Sequence, residues 1–278
     1  MVWDLDDPFW YPATKQAYRT AKILNFDITV FAPKGRGEAG TLEMVHFLKK
    51  VLEERYDGIC ISPIADLRVE KLLQKMAEKG VEVIFILSAF DSVPYRTLIG
   101  TDSYQCGRST GEAVREALGA DGAVGIIKWK DNLIETVEDR YHGVVDVLKE
   151  NRIPYYDMTG PGEPTAEEAT KLTDRLLTEH PDISVLCATN VGWGLAFARY
   201  LKSKGKKVKL VTVDFTDEVG EFMKAGYVDA AIAQRPESWG SMTLEKIEAV
   251  FEGQSIPKTI DTGTYPVTPA NIRIYVKD

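Results

Sequence analysis

Leu176-Leu177-Thr178-Glu179-His180-Pro181-Asp182-Ile183-Ser184-Val185-Leu186-Cys187-Ala188-Thr189-Asn190 carries the pattern from which the rest of the chain is read. The stretch closes an amphipathic helix on which Ala169, Leu172 and Leu176 share one face, and it turns at His180-Pro181. It then runs apolar from Val185 to Ala188 and ends on Asn190. A short unbroken apolar run between turn signals is how a parallel strand buried on both faces reads. The start of the helix is marked by Thr165-Ala166-Glu167-Glu168, which has capping-box spacing. The same cadence recurs along nearly the whole length, with strands expected at residues 28–31, 58–61, 83–87, 124–127, 185–188 and 208–213.

Counting outward gives four strand and helix repeats to about residue 100 and a fresh series over residues 103–234. A helix over 236–252, stopped by Gly253, then leads into an extended tail at 260–267. A chain of 278 residues exceeds what one core usually organises. The expectation is an α/β fold of two doubly wound parallel-sheet lobes joined by three crossings. Residues 1–102 and 235–261 form the expected N-terminal lobe, and 103–234 and 262–278 the C-terminal lobe.

The formal net charge of −8 comes from interspersed acids and bases, and no Lys/Arg cluster is dense enough to follow a phosphate backbone. Nucleic acid is therefore not an expected partner. The longest apolar stretch, 81–90, is broken by Glu82 and Ser88 and is about half of the ~20 residues a spanning helix needs. Met1-Val2-Trp3-Asp4 offers neither a basic n-region nor a cleavable apolar segment, so the reading is a cytosolic protein or one whose leader has been removed. The short opening strand suggests a chain trimmed close to its fold. Cys60, Cys106 and Cys187 lack any C-x-x-C spacing and read as small buried hydrophobes.

Ligands of parallel α/β sheets bind outside the carboxyl ends of the strands. Asp7-Pro8-Phe9-Trp10, Ser88, Trp129, Asn190, Asp214 and Gln234 all stand where an apolar run ends. Flat aromatic walls combined with forked polar side chains suit sugars, which present apolar C–H faces ringed by hydroxyls. Trp10 and Trp129 are the sharper aromatic candidates, because loops have less reason to hold Trp for packing. Asp7 has a rival role as a helix N-cap ahead of Pro8. Gly35-Arg36-Gly37-Glu38-Ala39-Gly40 matches a dinucleotide fingerprint, but Pro33-Lys34 separate it from its strand and the next strand ends on Ile61-Ser62-Pro63 rather than an acid. His46, His142 and His180 pair with no nucleophile context, and Asp4, Asp6 and Asp7 do not continue as a calcium loop. No metal and no cofactor is expected.

These residues resemble the type I periplasmic sugar-binding proteins, the ribose- and xylose-type solute receptors of ABC importers. Asp7-Pro8-Phe9-Trp10 resembles the family's Asn-Pro-Phe-aromatic opening, and Ile99-Gly100-Thr101-Asp102 its first crossing. Ala188-Thr189-Asn190, Val213-Asp214 and Ala231-Ile232-Ala233-Gln234 resemble its site strands, and Ile260-Asp261-Thr262-Gly263 its third crossing. The resemblance implies that Phe9 and Trp10 stack on a ligand that Asn190, Asp214 and Gln234 hydrogen-bond. The chain departs from the family at Leu87-Ser88, where ribose-type members have Asp-Arg. It departs again at Glu138, where they have a second Arg, with Arg140 two residues on, and at Val191-Gly192, which replaces an acidic pair. The set therefore implies a different ligand, an altered pose, or a receptor that binds a sugar weakly or not at all.

The implied function is a non-enzymatic, extracytoplasmic receptor, periplasmic or extracellular and membrane-associated, that closes on a small carbohydrate or polyol by hinge rotation. It hands the ligand to a membrane permease or presents it to a sensor kinase or chemoreceptor. The alternatives are the effector domain of a sugar-responsive transcriptional repressor, for which no headpiece precedes the first strand, and a nucleotide-dependent enzyme resting on Gly35 to Gly40 alone.

Overall fold

The fold is known from a computed structural model, which describes every residue except 4, 5, 7, 36, 120, 130–134, 163 and 276–278. The chain divides into two compact units, Met1–Thr101 with Arg235–Thr262, and Asp102–Gln234 with Gly263–Asp278. Helices α1 (Tyr11–Leu24) and α2 (Glu38–Glu53) come first, followed by β1 (Gly58–Ile61), α3 (Leu67–Glu78), β2 (Glu82–Ile86) and β3 (Thr97–Gly100). The second unit contains α4 (Ser103–Leu118), β4 (Ala123–Trp129), α5 (Glu135–Glu150), β5 (Tyr155–Gly160) and α6 (Ala166–Glu179). It continues through β6 (Ile183–Ala188), α7 (Val191–Lys204), β7 (Lys209–Val213), α8 (Asp217–Lys224) and β8 (Ala230–Ala233). Then α9 (Pro236–Phe251) and β9 (Thr259–Asp261) return to the first unit, and β10 (Tyr265–Val267) belongs to the second.

In the first unit the strands run β1-β2-β3-β9, all parallel. In the second they run β10-β8-β7-β6-β4-β5, with β10 alone antiparallel among the described pairings. The central strands are apolar throughout because helices cover both faces, and Ile84, Phe85, Ile86, Leu186, Cys187, Leu210 and Val211 are fully buried. Helix starts follow side-chain chemistry. Asp66 accepts the Arg68 N–H at 2.8 Å, Asp102 accepts that of Gln105 at 2.9 Å, and Thr165 with Glu168 forms the capping box expected from their spacing.

Two expectations need correction, and one strand went unexpected. Residues 28–31 are extended but form no strand, because only Phe31 is bridged, to Val2, and one bridge does not make a ladder. Leu87 lies outside β2 in the left-handed region at φ 66°, where the chain turns out of the sheet. The edge strand β5 escaped the search for apolar runs because its faces are only partly covered, and Asp157 and Thr159 interrupt it.

Candidate functional site

Strand order in the second unit reverses between β4 and β6, since β5 lies to one side of β4 while β6, β7 and β8 extend to the other. Such a reversal opens a crevice at the carboxyl ends of the two strands. Thr189 and Asn190 follow β6, Asp214 follows β7 and Gln234 follows β8, which sets four polar residues along one edge of the sheet. All four are buried.

Each is fixed by the local chain. The Asn190 Oδ1 accepts the Trp193 N–H at 2.8 Å as the N-cap of α7, which leaves its amide N–H₂ as the end that can face a ligand. Asp214 sits at φ 68° with its N–H donating to the Ile232 carbonyl at 2.9 Å, so the backbone turns where β7 ends and lifts the carboxylate over the sheet. The Gln234 Nε2 donates to the Asp214 Oδ1 at 2.6 Å. Arg140 of α5 completes the cluster: its Nη1 lies 3.9 Å from the Asp214 Oδ2 and donates to the Thr189 carbonyl at 3.4 Å. Arg140 and Asp214 are each only 6% exposed, so this is a buried ion pair.

Two atoms of the cluster, the Arg140 Nε–H and the Gln234 Oε1, have no partner among the described residues. A buried donor or acceptor left unmade costs about 1–3 kcal/mol. A hydroxyl both donates and accepts, so a molecule bearing several hydroxyls can satisfy this donor and this acceptor together. Among the described residues no group of His, Cys, Asp or Glu is arranged to hold a metal ion. Cys106 lies close enough to feel Arg140 and Asp214, and burial pushes its thiol up to about 11, which keeps it protonated at neutral pH.

Arg140 is the residue that strand-end reasoning misses. Val137, Arg140, Tyr141 and Val144 follow i, i+3, i+4, i+7 spacing, so an Arg interrupts the buried stripe of α5 and must find a buried partner. That interruption is the signal which could have found it. Glu138 lies off the stripe and faces Lys128 and His142 at 3.9 and 3.6 Å, and the structure does not bring it to the cluster. The seating of Arg140 rests on glycine. A Cβ on Gly107 of α4 would lie 2.1 Å from the Arg140 carbonyl oxygen, and one on Gly143 would lie 2.2 Å from that of Tyr104. The two helices therefore meet backbone to backbone. Trp129 ends β4 with its ring against Gly162 and its indole N–H buried without a partner among the described residues.

The first unit offers a different carboxyl edge. Leu87 stands there as Asp214 does in the second unit: it follows its strand, has positive φ, and donates its N–H to the neighbouring strand at Ile99. An aliphatic side chain thus holds the position that carries a carboxylate in the other unit. Ser88, half-buried, follows it. Phe9 is half-buried, but Trp10 is 3% exposed, stacked on Trp3 at 4.9 Å and packed on Trp239 at 5.5 Å. The expectation that loop placement frees Trp10 from packing is corrected by this cluster. Asp7 lies outside the described residues. At the Gly35 turn, the Glu43 carboxylate accepts the N–H groups of Lys34 and Gly35 at 2.8 and 3.1 Å, the groups a phosphate would need.

The chain was compared with known proteins. The ribose import binding protein of Bacillus subtilis is 20% identical over 263 residues, spanning 92% of this chain and 82% of that protein. Its counterpart in Haemophilus influenzae is 25% identical, spanning 92% and 86%. An ABC transporter solute-binding protein from Burkholderia graminis, solved with D-arabinose, superposes with a TM-score of 0.87 at 23% identity, covering 99% of this chain and 96% of that one. The family model for the periplasmic binding protein domain matches residues 1–255. The chain belongs to the periplasmic binding protein domain family.

Proposed function

We propose that the chain is an extracytoplasmic sugar receptor whose second unit grips ligand hydroxyls through Arg140, Asn190, Asp214 and Gln234. The observation that carries this reading is the buried cluster in which the Arg140 Nε–H and the Gln234 Oε1 lack partners among the described residues while Arg140 faces the counter-charge of Asp214. A neutral polyhydroxylated molecule supplies the missing donor and acceptor without adding charge. In this reading the receptor closes on the ligand by hinge rotation. The receptor performs no bond-making and works beside the membrane, delivering its ligand to the permease of an importer or reporting it to a membrane sensor. The relatives named for ribose import and the neighbour solved with arabinose support a pentose as the ligand class.

Thermal-shift screening against pentoses, hexoses, deoxysugars and polyols tests the proposal. A ligand at 100 times its Kd stabilises the native state by ~2.7 kcal/mol, a shift of several degrees in Tm for a chain this size. Gln234→Met should abolish the shift while Ser255→Ala retains it. A complete panel with no responding sugar refutes the reading.

A further inference from the structure

The end of α7, the turn after it and the first residue of β7 read Lys202-Ser203-Lys204-Gly205-Lys206-Lys207-Val208-Lys209, five lysines in eight residues. No Asp or Glu occurs between Asp182 and Asp214, in a chain whose net charge is −8. The turn is ordered by its own backbone. Gly205 is left-handed at φ 61°, its N–H donates to the Lys202 carbonyl at 3.4 Å, and the Lys206 N–H donates to that of Leu201 at 3.1 Å, the two bonds of a Schellman stop. These lysines stand at the opposite ends of α7 and β7 from Asn190 and Asp214, and the length of α7 alone puts about 20 Å between them and that cluster.

Lysines in a last turn complement the carbonyl end of a helix, which accounts for Lys202 and Lys204 but not for Lys206 and Lys207 beyond it. None of the five has a carboxylate oxygen within 4.0 Å among the described residues. The acids of adjoining elements are already engaged: Asp229 accepts the Leu210 N–H at 2.9 Å, Glu218 pairs with Arg199 at 2.7 Å, and Glu221 with Lys224 at 3.1 Å. Lys202 lies over the Phe222 ring at 5.7 Å and Lys209 donates to the Ala117 carbonyl at 2.6 Å. We infer that this lysine turn is a contact surface for the anionic headgroups of a lipid bilayer. Its charge selects the sign of the partner, and its lack of apolar surface selects the kind. A protein interface has a core in which aromatic residues are enriched and lysine is depleted. Here Val208 is the one apolar residue of the segment, and it is half-buried. Five cations fall short of the roughly 6–10 phosphate contacts of a strongly salt-dependent nucleic-acid binder, while a charged leaflet attracts clusters of roughly 4–8 Lys/Arg. A bilayer asks for neither a pocket nor a fixed register, so each ammonium contributes on its own. This surface rests on no part of the sugar reading.

Co-sedimentation without sugar tests it, using phosphatidylcholine vesicles that contain about one third phosphatidylglycerol beside vesicles of phosphatidylcholine alone. The parent chain should bind the anionic vesicles at about 0.1 M salt, ignore the neutral ones, and be released at about 1 M salt, where screening acts within about 3 Å. The triple variant Lys204→Gln, Lys206→Gln, Lys207→Gln should bind at least tenfold more weakly while keeping the parent's Tm. A control, Lys22→Gln, Lys49→Gln, Lys71→Gln, removes the same charge from exposed sites in the first unit and should bind as the parent does. Equal binding of the parent and the turn variant overturns the inference, and so does equal loss in the control. Retention on immobilised poly-glutamate with no binding to anionic vesicles would assign the turn to an acidic protein and overturn it as well. A protein that binds no vesicles yet responds to sugar would sink this inference alone.

Discussion

Gly107→Ala tests how the second unit positions its buried cation. An ideal Cβ at Gly107 lies 2.1 Å from the Arg140 carbonyl oxygen and 2.8 Å from both the carbonyl carbon and Cα of Arg140, whereas ordinary contact begins near 3.4 Å. Relief requires α4 and α5 to separate by about 1.3 Å, and the obstacle is main chain, which cannot swing aside as a long side chain does. Overpacking of this kind costs typically 1–3 kcal/mol, and a backbone clash belongs at the upper end. For a chain of this length each kcal/mol lowers Tm by about 2–4 °C, so the variant should melt roughly 5–10 °C lower. The same displacement carries Arg140 away from Asp214, already at 3.9 Å, and from the Thr189 carbonyl. Sugar affinity should fall with that displacement. Calorimetric unfolding and sugar titration, run on Gly107→Ala beside Gly37→Ala, separate the two effects. Gly37 caps α2, and a Cβ there has open space around it despite φ 56°, so it serves as a control for backbone strain in the other unit. A Gly107→Ala protein with unchanged Tm and unchanged sugar affinity would refute the argument that α4 seats Arg140.

Four further outcomes are expected. Trp10→Ala removes a fully packed indole and should cost about 3–5 kcal/mol, read as a lower denaturant midpoint with or without sugar present. Asp214→Ala leaves Arg140 buried without its counter-charge and should lower Tm by several degrees, whereas Asp214→Asn, which keeps an acceptor for Gln234, should lower it less; differential scanning calorimetry compares them. Thr165→Ala removes the capping box of α6 and should cost about 1 kcal/mol in urea unfolding. The Arg68 side chain holds the Asp66 carboxyl below its ordinary 3.8, and the Arg96 side chain holds Glu82 below its ordinary 4.5. Depressed carboxyls contribute stability that is present above the ordinary values and lost as pH falls through the folded ones. Tm should therefore be flat above about pH 5 and fall progressively toward pH 3, and a Tm that rises on acidification would contradict this.

The two-layered cadence was legible because parallel strands covered on both faces leave unbroken apolar runs, and 58–61, 124–127 and 185–188 fall inside observed strands. Caps were legible where the chemistry is local, as at Thr165 and Glu168. What escaped depends on long-range partners. Residues 28–31 have the composition of a strand without a full ladder, and β5 has a ladder without the composition. Within the candidate site, Asn190, Asp214 and Gln234 were visible because each ends an apolar run, and the structure sets them along one edge of one unit. Arg140 lies on a helix and Glu138 two residues away was the expected residue, because matching by position does not weigh which of them interrupts a buried stripe. Trp10 was read from its loop, while its burial is decided by Trp3 and Trp239, far apart in sequence.

The most direct measurement is a calorimetric titration of the chain and of its Arg140→Lys form with the sugar that gives the largest thermal shift. Lysine keeps the charge opposite Asp214 but has no Nε–H at the position of the unpartnered donor. A charge-assisted hydrogen bond of about 1.5–3 kcal/mol is then lost to the ligand, which corresponds to a Kd at least tenfold weaker. The account predicts one sugar bound per chain, with that loss in Arg140→Lys. Absence of binding heat for every sugar, or equal Kd for the two proteins, would contradict it.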